Sequence, residues 1–275
     1  MEIRNPAHPQ DFKSYTTEKI RQEFLVQRLF TPGEVRLVYS HFDRMIVGGI
    51  CPDHSLGLEA GKEIGADFFL ERREMGVINV GPKGTVRVDG ERYDLDTKDG
   101  LYVGMGSKEV LFSSEDRLHP ARFYLNSSPA HHKYPTTKIG LKDTEKVHLG
   151  SPAESNVRTI NKFIHPNGVK SCQLVMGMTL LESGSIWNSM PCHTHERRME
   201  IYFYFNLQDN AVVFHLMGEP EETRHIVVRN EEAVISPSWS VHSGAGTSSY
   251  SFIWGMIGEN QTFTDMDGVA MGRLR

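Results

Sequence analysis

The stretch 190–205, MPCHTHERRMEIYFYF, places His193 and His195 one residue apart, with Glu200 following after four more. Side chains on a β-strand alternate faces, so an i, i+2 pair points the same way. Two imidazoles side by side on one face are half of a metal site. On a helix the equivalent pair needs a spacing of three or four, so this motif predicts a strand. Parity sets a further condition. The offset from His195 to Glu200 is odd, and a straight strand would turn the carboxylate to the opposite face. A turn or bulge within 196–199 removes the conflict, and Glu196-Arg197-Arg198 has the composition of a solvent-facing turn. The strand that resumes at Glu200 carries Glu200, Tyr202 and Tyr204 on one face. Ile201, Phe203 and Phe205 form an opposite, apolar face that needs cover from another sheet or a second subunit.

A third imidazole is suggested by 234–244, VISPSWSVHSG, where an apolar run ends at Pro237 and His242 starts the next segment. Histidine-x-histidine, x4-glutamate and a later proline-x4-histidine together resemble the two-part motif of the cupin superfamily. Trp239 stands where that motif usually has glycine. Three neutral imidazoles and one carboxylate suit zinc, iron, manganese or nickel, and donor type alone does not choose among them. A cation that expands its coordination also admits substrate oxygens.

Other groups have a functional and a plain reading. Tyr202 either donates a hydrogen bond to a substrate or fills a small barrel with aromatic bulk. Lys162, Lys170, Arg197, Arg198 and Arg224 are candidates to bind a substrate carboxylate, Arg198 and Arg224 foremost, because arginine forks pair well with carboxylates. Glu200, a tyrosine or a carboxylate from a neighbouring region would serve as the base. Gln173, on a strand just before the motif, is a candidate partner for a metal ligand. His131, His132, His148, His165, His215 and His225 lack ligand spacing and read as surface or loop polarity. Cys192 alternates away from His193 and reads as a buried thiol.

The elements that position these groups are mostly strands. Thr16-Thr17 opens a short helix through Leu25 in an N-terminal arm, and Asp89-Gly90 marks a tight hairpin. The turn-rich stretch 126–138 reads as a linker. The two halves look related: 68–80 aligns with 193–205 through a shared Glu-Arg-Arg triplet, and 92–104 aligns with 225–237. In these registers His193, His195, Glu200 and His242 face Phe68, Leu70, Met75 and Glu109, so the first half keeps the fold without the ligands. The expected fold is all-β, with two jelly-roll-type β-barrels and short helices at the N-terminus. Residues 1–130 would form the arm and a metal-free barrel, and 131–275 the metal-binding barrel.

With 275 residues, a net charge of −5 and no basic run, the chain does not read as a nucleic-acid binder. No apolar stretch is long enough to span a bilayer, and 1–15 lacks the apolar core of a signal peptide. Three cysteines without a CxxC pair suit free thiols in the cytoplasm. Gly104-Met105-Gly106 is not followed by the third glycine of a dinucleotide fingerprint.

Several long blocks add a closer resemblance: YTTEKIRQEFLVQRLF, SPAHHKYP, KSCQLVMGMTLLESGSIWNSMPCHTHERRMEIYFYF, VISPSWSVHSG and GENQTFTDMD. From about Tyr15 onward the chain is similar to the 5-dehydro-4-deoxy-D-glucuronate isomerase family. That resemblance implies one zinc ion per chain on His193, His195, Glu200 and His242, other divalent metals being possible. It also implies a homohexamer, a small keto-deoxyuronate substrate and a role in the breakdown of pectin-type uronates. A metal-dependent cupin dioxygenase and a non-catalytic sugar-binding cupin are the alternatives.

Overall fold

A computed structural model describes all 275 residues, Met1–Arg275. The chain is mostly β, and its contacts divide it into two compact units. One holds Met1–Arg4, Arg28–Glu145 and Phe163–Met176; the other holds Asn5–Gln27, Lys146–Lys162 and Gly177–Arg275. This division is not the single cut expected after residue 130. The arm's helices belong with the second unit, because Phe12 and Phe24 pack their rings against Trp239 at 5.3 and 6.4 Å. That packing accounts for tryptophan at the position where glycine was expected. The stretch 126–138 is not a plain linker either. Asn126, Ser127 and Ser128 are fully buried in the strand Phe123–Pro129.

The first unit has a seven-stranded and a four-stranded sheet. The larger runs Glu2–Arg4, Glu34–Ser40, Ile46–Cys51, Phe123–Pro129, Arg73–Asn79, Gly100–Val103, Thr137–Ile139. The smaller runs Leu56–Gly57, Val110–Ser114, Gly84–Val88, Glu91–Leu95. Inward side chains of both, among them Ile46, Val77, Val86, Phe112 and Phe123, share one apolar core, the arrangement of packed sheets. Asp89 and Gly90, at φ 48° and 89°, make the two-residue hairpin between Gly84–Val88 and Glu91–Leu95. Two positive φ values are what the twist of such a hairpin demands.

The second unit repeats the plan. Its large sheet runs Glu145–Leu149, Arg158–Ile164, Val175–Leu181, Ser251–Gly258, Arg198–Phe205, Glu232–Ser236, Leu25–Val26. Its small sheet runs Trp187–Asn188, Ser243–Gly246, Val213–Glu219, Glu222–Val228. The inferred repeat registers hold in the pairing: Met75 lies opposite Val103, and Glu200 lies opposite Ser236. Strand pairing closes neither unit into a barrel. Ile201, Phe203 and Phe205 are buried within the chain itself, so this face requires no second subunit to cover it.

Glu74 anchors the first unit. Fully buried, its Oε1 accepts from Ser128 Oγ and from the backbone N–H groups of Gln173 and Leu174, at 3.1, 2.8 and 2.9 Å. Its Oε2 accepts from Tyr102 Oη and the N–H of Cys172, at 2.8 and 2.7 Å. The backbone N–H of Gln173 therefore belongs to this anchor. Removing the carboxylate leaves five donors without an acceptor, three of them buried and each of those costing on the order of 1 kcal/mol or more. Glu74→Ala should lower stability by about 3 kcal/mol or more in urea unfolding. A loss below about 1 kcal/mol would contradict this account.

Candidate metal centre and its cavity

His193 and Thr194 form a short strand, a turn closes with the Arg198 N–H donating to His195 O at 3.1 Å, and the strand Arg198–Phe205 follows. The turn makes the odd offset harmless, so Glu200 returns to the side of His193 and His195. Only Glu196 and Arg197 sit in it. Arg198, expected at the surface, is 1% exposed and already part of the strand. His242 immediately precedes the strand Ser243–Gly246 of the small sheet. One ligand atom from each of His193, His195, Glu200 and His242 lies within 4.8 Å of all the others.

The hydrogen bonds around the cluster favour a cation. His195 Nδ1 faces Arg198 O at 3.4 Å, and His242 Nδ1 faces Ser240 O at 3.3 Å. A carbonyl only accepts, so each Nδ1 carries the hydrogen and each Nε2 keeps its lone pair, the arrangement seen when histidine ligands are held from behind. His195 Nε2 lies 3.2 Å from Glu200 Oε2 yet makes no hydrogen bond, although it is buried. His242 Nε2 is 3.0 Å from both Glu200 Oε2 and His193 Nε2. Lone pairs converging from three rings and a carboxylate repel one another unless a cation lies among them, and the donor set suits a borderline divalent ion. Burial pushes the His193 imidazole down to about 3, aided by the His242 ring, so it is neutral and ligand-competent. Burial works to raise Glu200, but positive charge on the His242 and His195 side overrides it and holds the carboxyl below the ordinary range.

The first unit holds no such cluster. At the positions matching His195 and Glu200 it has Leu70 and Met75, both fully buried in its apolar core. Glu109, matching His242, is exposed.

His193, His195 and Glu200 open into a cavity of about 280 Å³. Arg198, Glu200 and Tyr202, alternate residues of one strand, all line it. Trp254 forms a wall, held by Nε1 donating to Thr179 Oγ1 at 3.1 Å. Gly177 makes room for that indole, since a Cβ there would lie 2.2 Å from the ring. Tyr202 Oη pairs with Ser189 Oγ at 3.0 Å, and burial holds the phenol well above its usual range, so it keeps its proton and can donate it. Tyr204 does not reach the cavity; its Oη meets Nδ1 of His215 at 2.7 Å. His215 is fully buried, not the surface polarity expected of it, and burial pushes it down to about 3.

The two favoured arginines behave differently from each other. Arg198 lines the cavity, but its Nη1 donates to Thr262 O and its Nη2 to Asp265 O, both at 2.7 Å. Its counterpart Arg73 does the same in the ligand-free unit, donating from Nη2 to Arg44 O and Ser127 O. The shared role is to pin the backbone. Arg224 is away from the cavity: it pairs with Glu222 at 2.7 Å and donates to Lys13 O. Arg197 grips Asp265 through Nε and Nη2 and reaches Asp267 at 3.0 Å. Together Arg197 and Arg198 fix the loop that brings Phe263 and Met266 to the cavity. Asp267–Gly268 at its end pairs with His193–Thr194. Lys162 lies over the Phe263 ring at 4.8 Å. Cys192 is buried beside Val241 and Val269, as alternation required.

A family model described as the KduI/IolB family matches residues 24–270. The 4-deoxy-L-threo-5-hexosulose-uronate ketol-isomerase of Caldicellulosiruptor bescii is 59% identical over 276 residues, covering all of both chains. The enzyme of the same name from Escherichia coli O139:H28 is 56% identical over 278 residues, again covering both completely. Among solved structures, an IolB-like protein from Salmonella typhimurium LT2 superposes with a TM-score of 0.71 at 13% identity, over 90% of this chain and 96% of that one. An oxalate decarboxylase from Lactobacillus farciminis gives 0.55 at 9% identity, over 83% and 80%. These two distant structures speak to the fold alone. Identity sustained over the whole length, together with the match across 24–270, makes the chain a member of the KduI/IolB family.

Proposed function

We propose that this protein is a metal-dependent ketol-isomerase interconverting 5-dehydro-4-deoxy-D-glucuronate and 3-deoxy-D-glycero-2,5-hexodiulosonate. The observation that carries the reading is a three-histidine, one-glutamate cluster opening into a cavity, in a chain whose full-length relatives bear the ketol-isomerase name. The family resemblance supports zinc as the ion, one per chain, a homohexamer, and a cytoplasmic place in the breakdown of pectin-type uronates.

The reaction moves hydrogen within one molecule. A proton leaves C2 and one returns to C1, the C2 hydroxyl becomes a carbonyl and the C1 aldehyde becomes an alcohol. Atoms and electrons balance without a redox cofactor. His193, His195, Glu200 and His242 would hold a divalent cation, which supplies a Lewis acid for the negative charge developing on the two substrate oxygens. Tyr202 keeps its proton and donates a hydrogen bond from the cavity wall, with Ser189 orienting its hydroxyl. Trp254, Phe252, Phe263 and Met256 exclude water, which strengthens every polar contact inside. Arg198 acts by holding the loop that carries Phe263. Glu200 is committed to the cluster as a carboxylate.

Metal content and turnover test the two halves of this reading. His193→Ala or His242→Ala should remove most bound divalent metal, while Glu109→Ala should leave one ion per chain by elemental analysis. Two ions per wild-type chain would contradict a single centre. Separately, chelation should abolish isomerisation and added divalent metal should restore it, whereas full turnover by metal-free protein would overturn the mechanism. In deuterated water the product should carry label at its hydroxymethyl carbon, the former C1 aldehyde of the substrate. Unlabelled product would replace proton transfer with a hydride shift.

A further inference from the structure

We propose that Arg158, at the start of the strand Arg158–Ile164, binds the carboxylate of the substrate and makes this site selective for uronates over neutral sugars. This deepens the isomerase reading and rests on it. Arg158 and Ile160, two residues apart on one strand face, both line the cavity that holds the metal cluster. Apart from the imidazoles, the cavity has two cationic residues, Arg158 and Arg198. Arg198 has both Nη groups on backbone carbonyls. Arg158 is half-buried and forms no ion pair; its one hydrogen bond runs from Nη1 to Asn156 O at 2.8 Å. The remaining N–H groups of its fork have no protein acceptor. The nearby Glu154 accepts from Ser151 Oγ instead.

A guanidinium in a largely apolar cavity is costly to desolvate unless an anion accompanies it. Glu200 is the only acid lining the cavity and is taken up by the histidines. The missing anion must therefore arrive with the ligand, and a planar carboxylate matches the free edge of the fork. Position supports this assignment. Strands run in the order Arg158–Ile164, Val175–Leu181, Ser251–Gly258, Arg198–Phe205, so Arg158 starts about three strand spacings of about 4.8 Å from Glu200 along a curved sheet. Arg158 and Tyr202 line this same cavity. This spacing separates the carboxylate-binding group from the metal ligands, as a six-carbon chain with its reactive carbonyl at one end and its acid at the other requires.

The test compares the keto-deoxyuronate with its methyl ester, which keeps the reacting end and removes the charge. Wild-type protein should prefer the acid by about 30- to 100-fold in kcat/KM, the size of one charge-assisted hydrogen-bonded pair. Arg158→Gln should lose about that factor on the acid, mainly through KM, and handle the ester as wild type does. Arg158→Lys, which keeps the charge without the fork, should recover part of the preference. Metal content should be unchanged in both variants. Calorimetric binding of the same two compounds repeats the comparison without turnover. If wild type binds both and converts neither, the isomerase reading fails, and the acid–ester gap in Kd still decides the role of Arg158. Equal losses on acid and ester, an undiminished acid preference in Arg158→Gln, or no preference in wild type would each overturn the proposal.

Discussion

Lone pairs from three imidazoles and a carboxylate, brought within 4.8 Å of one another in a largely buried cluster, are the constraint on which the second unit is built. Repulsion of this kind is strong where water is excluded, and the surrounding elements all act to hold the groups in place against it. The two-residue turn at Glu196 and Arg197 switches the strand's parity. The carbonyls of Arg198 and Ser240 set the ring orientation of His195 and His242. Arg197 and Arg198 tie down the loop whose final residues pair with the His193 strand.

The first unit serves as an internal control. It has the same order of strands and the same buried arginine at the end of the same triplet, but Leu70 and Met75 complete an apolar core where the second unit has the candidate ligands. The scaffold is therefore stable without the chemistry, and the polar cluster is an addition to it. This comparison also separates roles within the second unit. A feature present in both units, such as the Arg73 and Arg198 contacts to backbone carbonyls, belongs to the architecture. Features found only around the cavity, among them the Tyr202–Ser189 pair and the open guanidinium of Arg158, are where substrate recognition is to be sought.

Several properties were legible in the residues alone, because they depend on local rules. The i, i+2 histidines require a strand, the odd offset to Glu200 requires a turn, and Asp89-Gly90 requires a tight hairpin. The alternating pattern correctly sent Cys192 away from the ligand face. The duplicated registers could be read from the sequence because each half must bury the same positions of the same strands. What the sequence could not decide was which long polar side chains meet empty space. Arg158, Arg197, Arg198 and Arg224 are the same residue type in similar local settings, and each ends differently: facing the cavity, gripping Asp265, pinning a loop and pairing with Glu222. Arg197 and Arg198 reach partners 68 and 64 positions away in the chain, and Arg224 also reaches Lys13, 211 positions away. The same holds for His215, whose burial is set by partners on other strands, and for Trp239, whose size makes sense only once Phe12 and Phe24 lie against it. Spacing within two short motifs, 193–200 and 237–242, pointed to the candidate ligands, whereas the contacts that aim, close and charge the cavity arise only when distant segments are folded together.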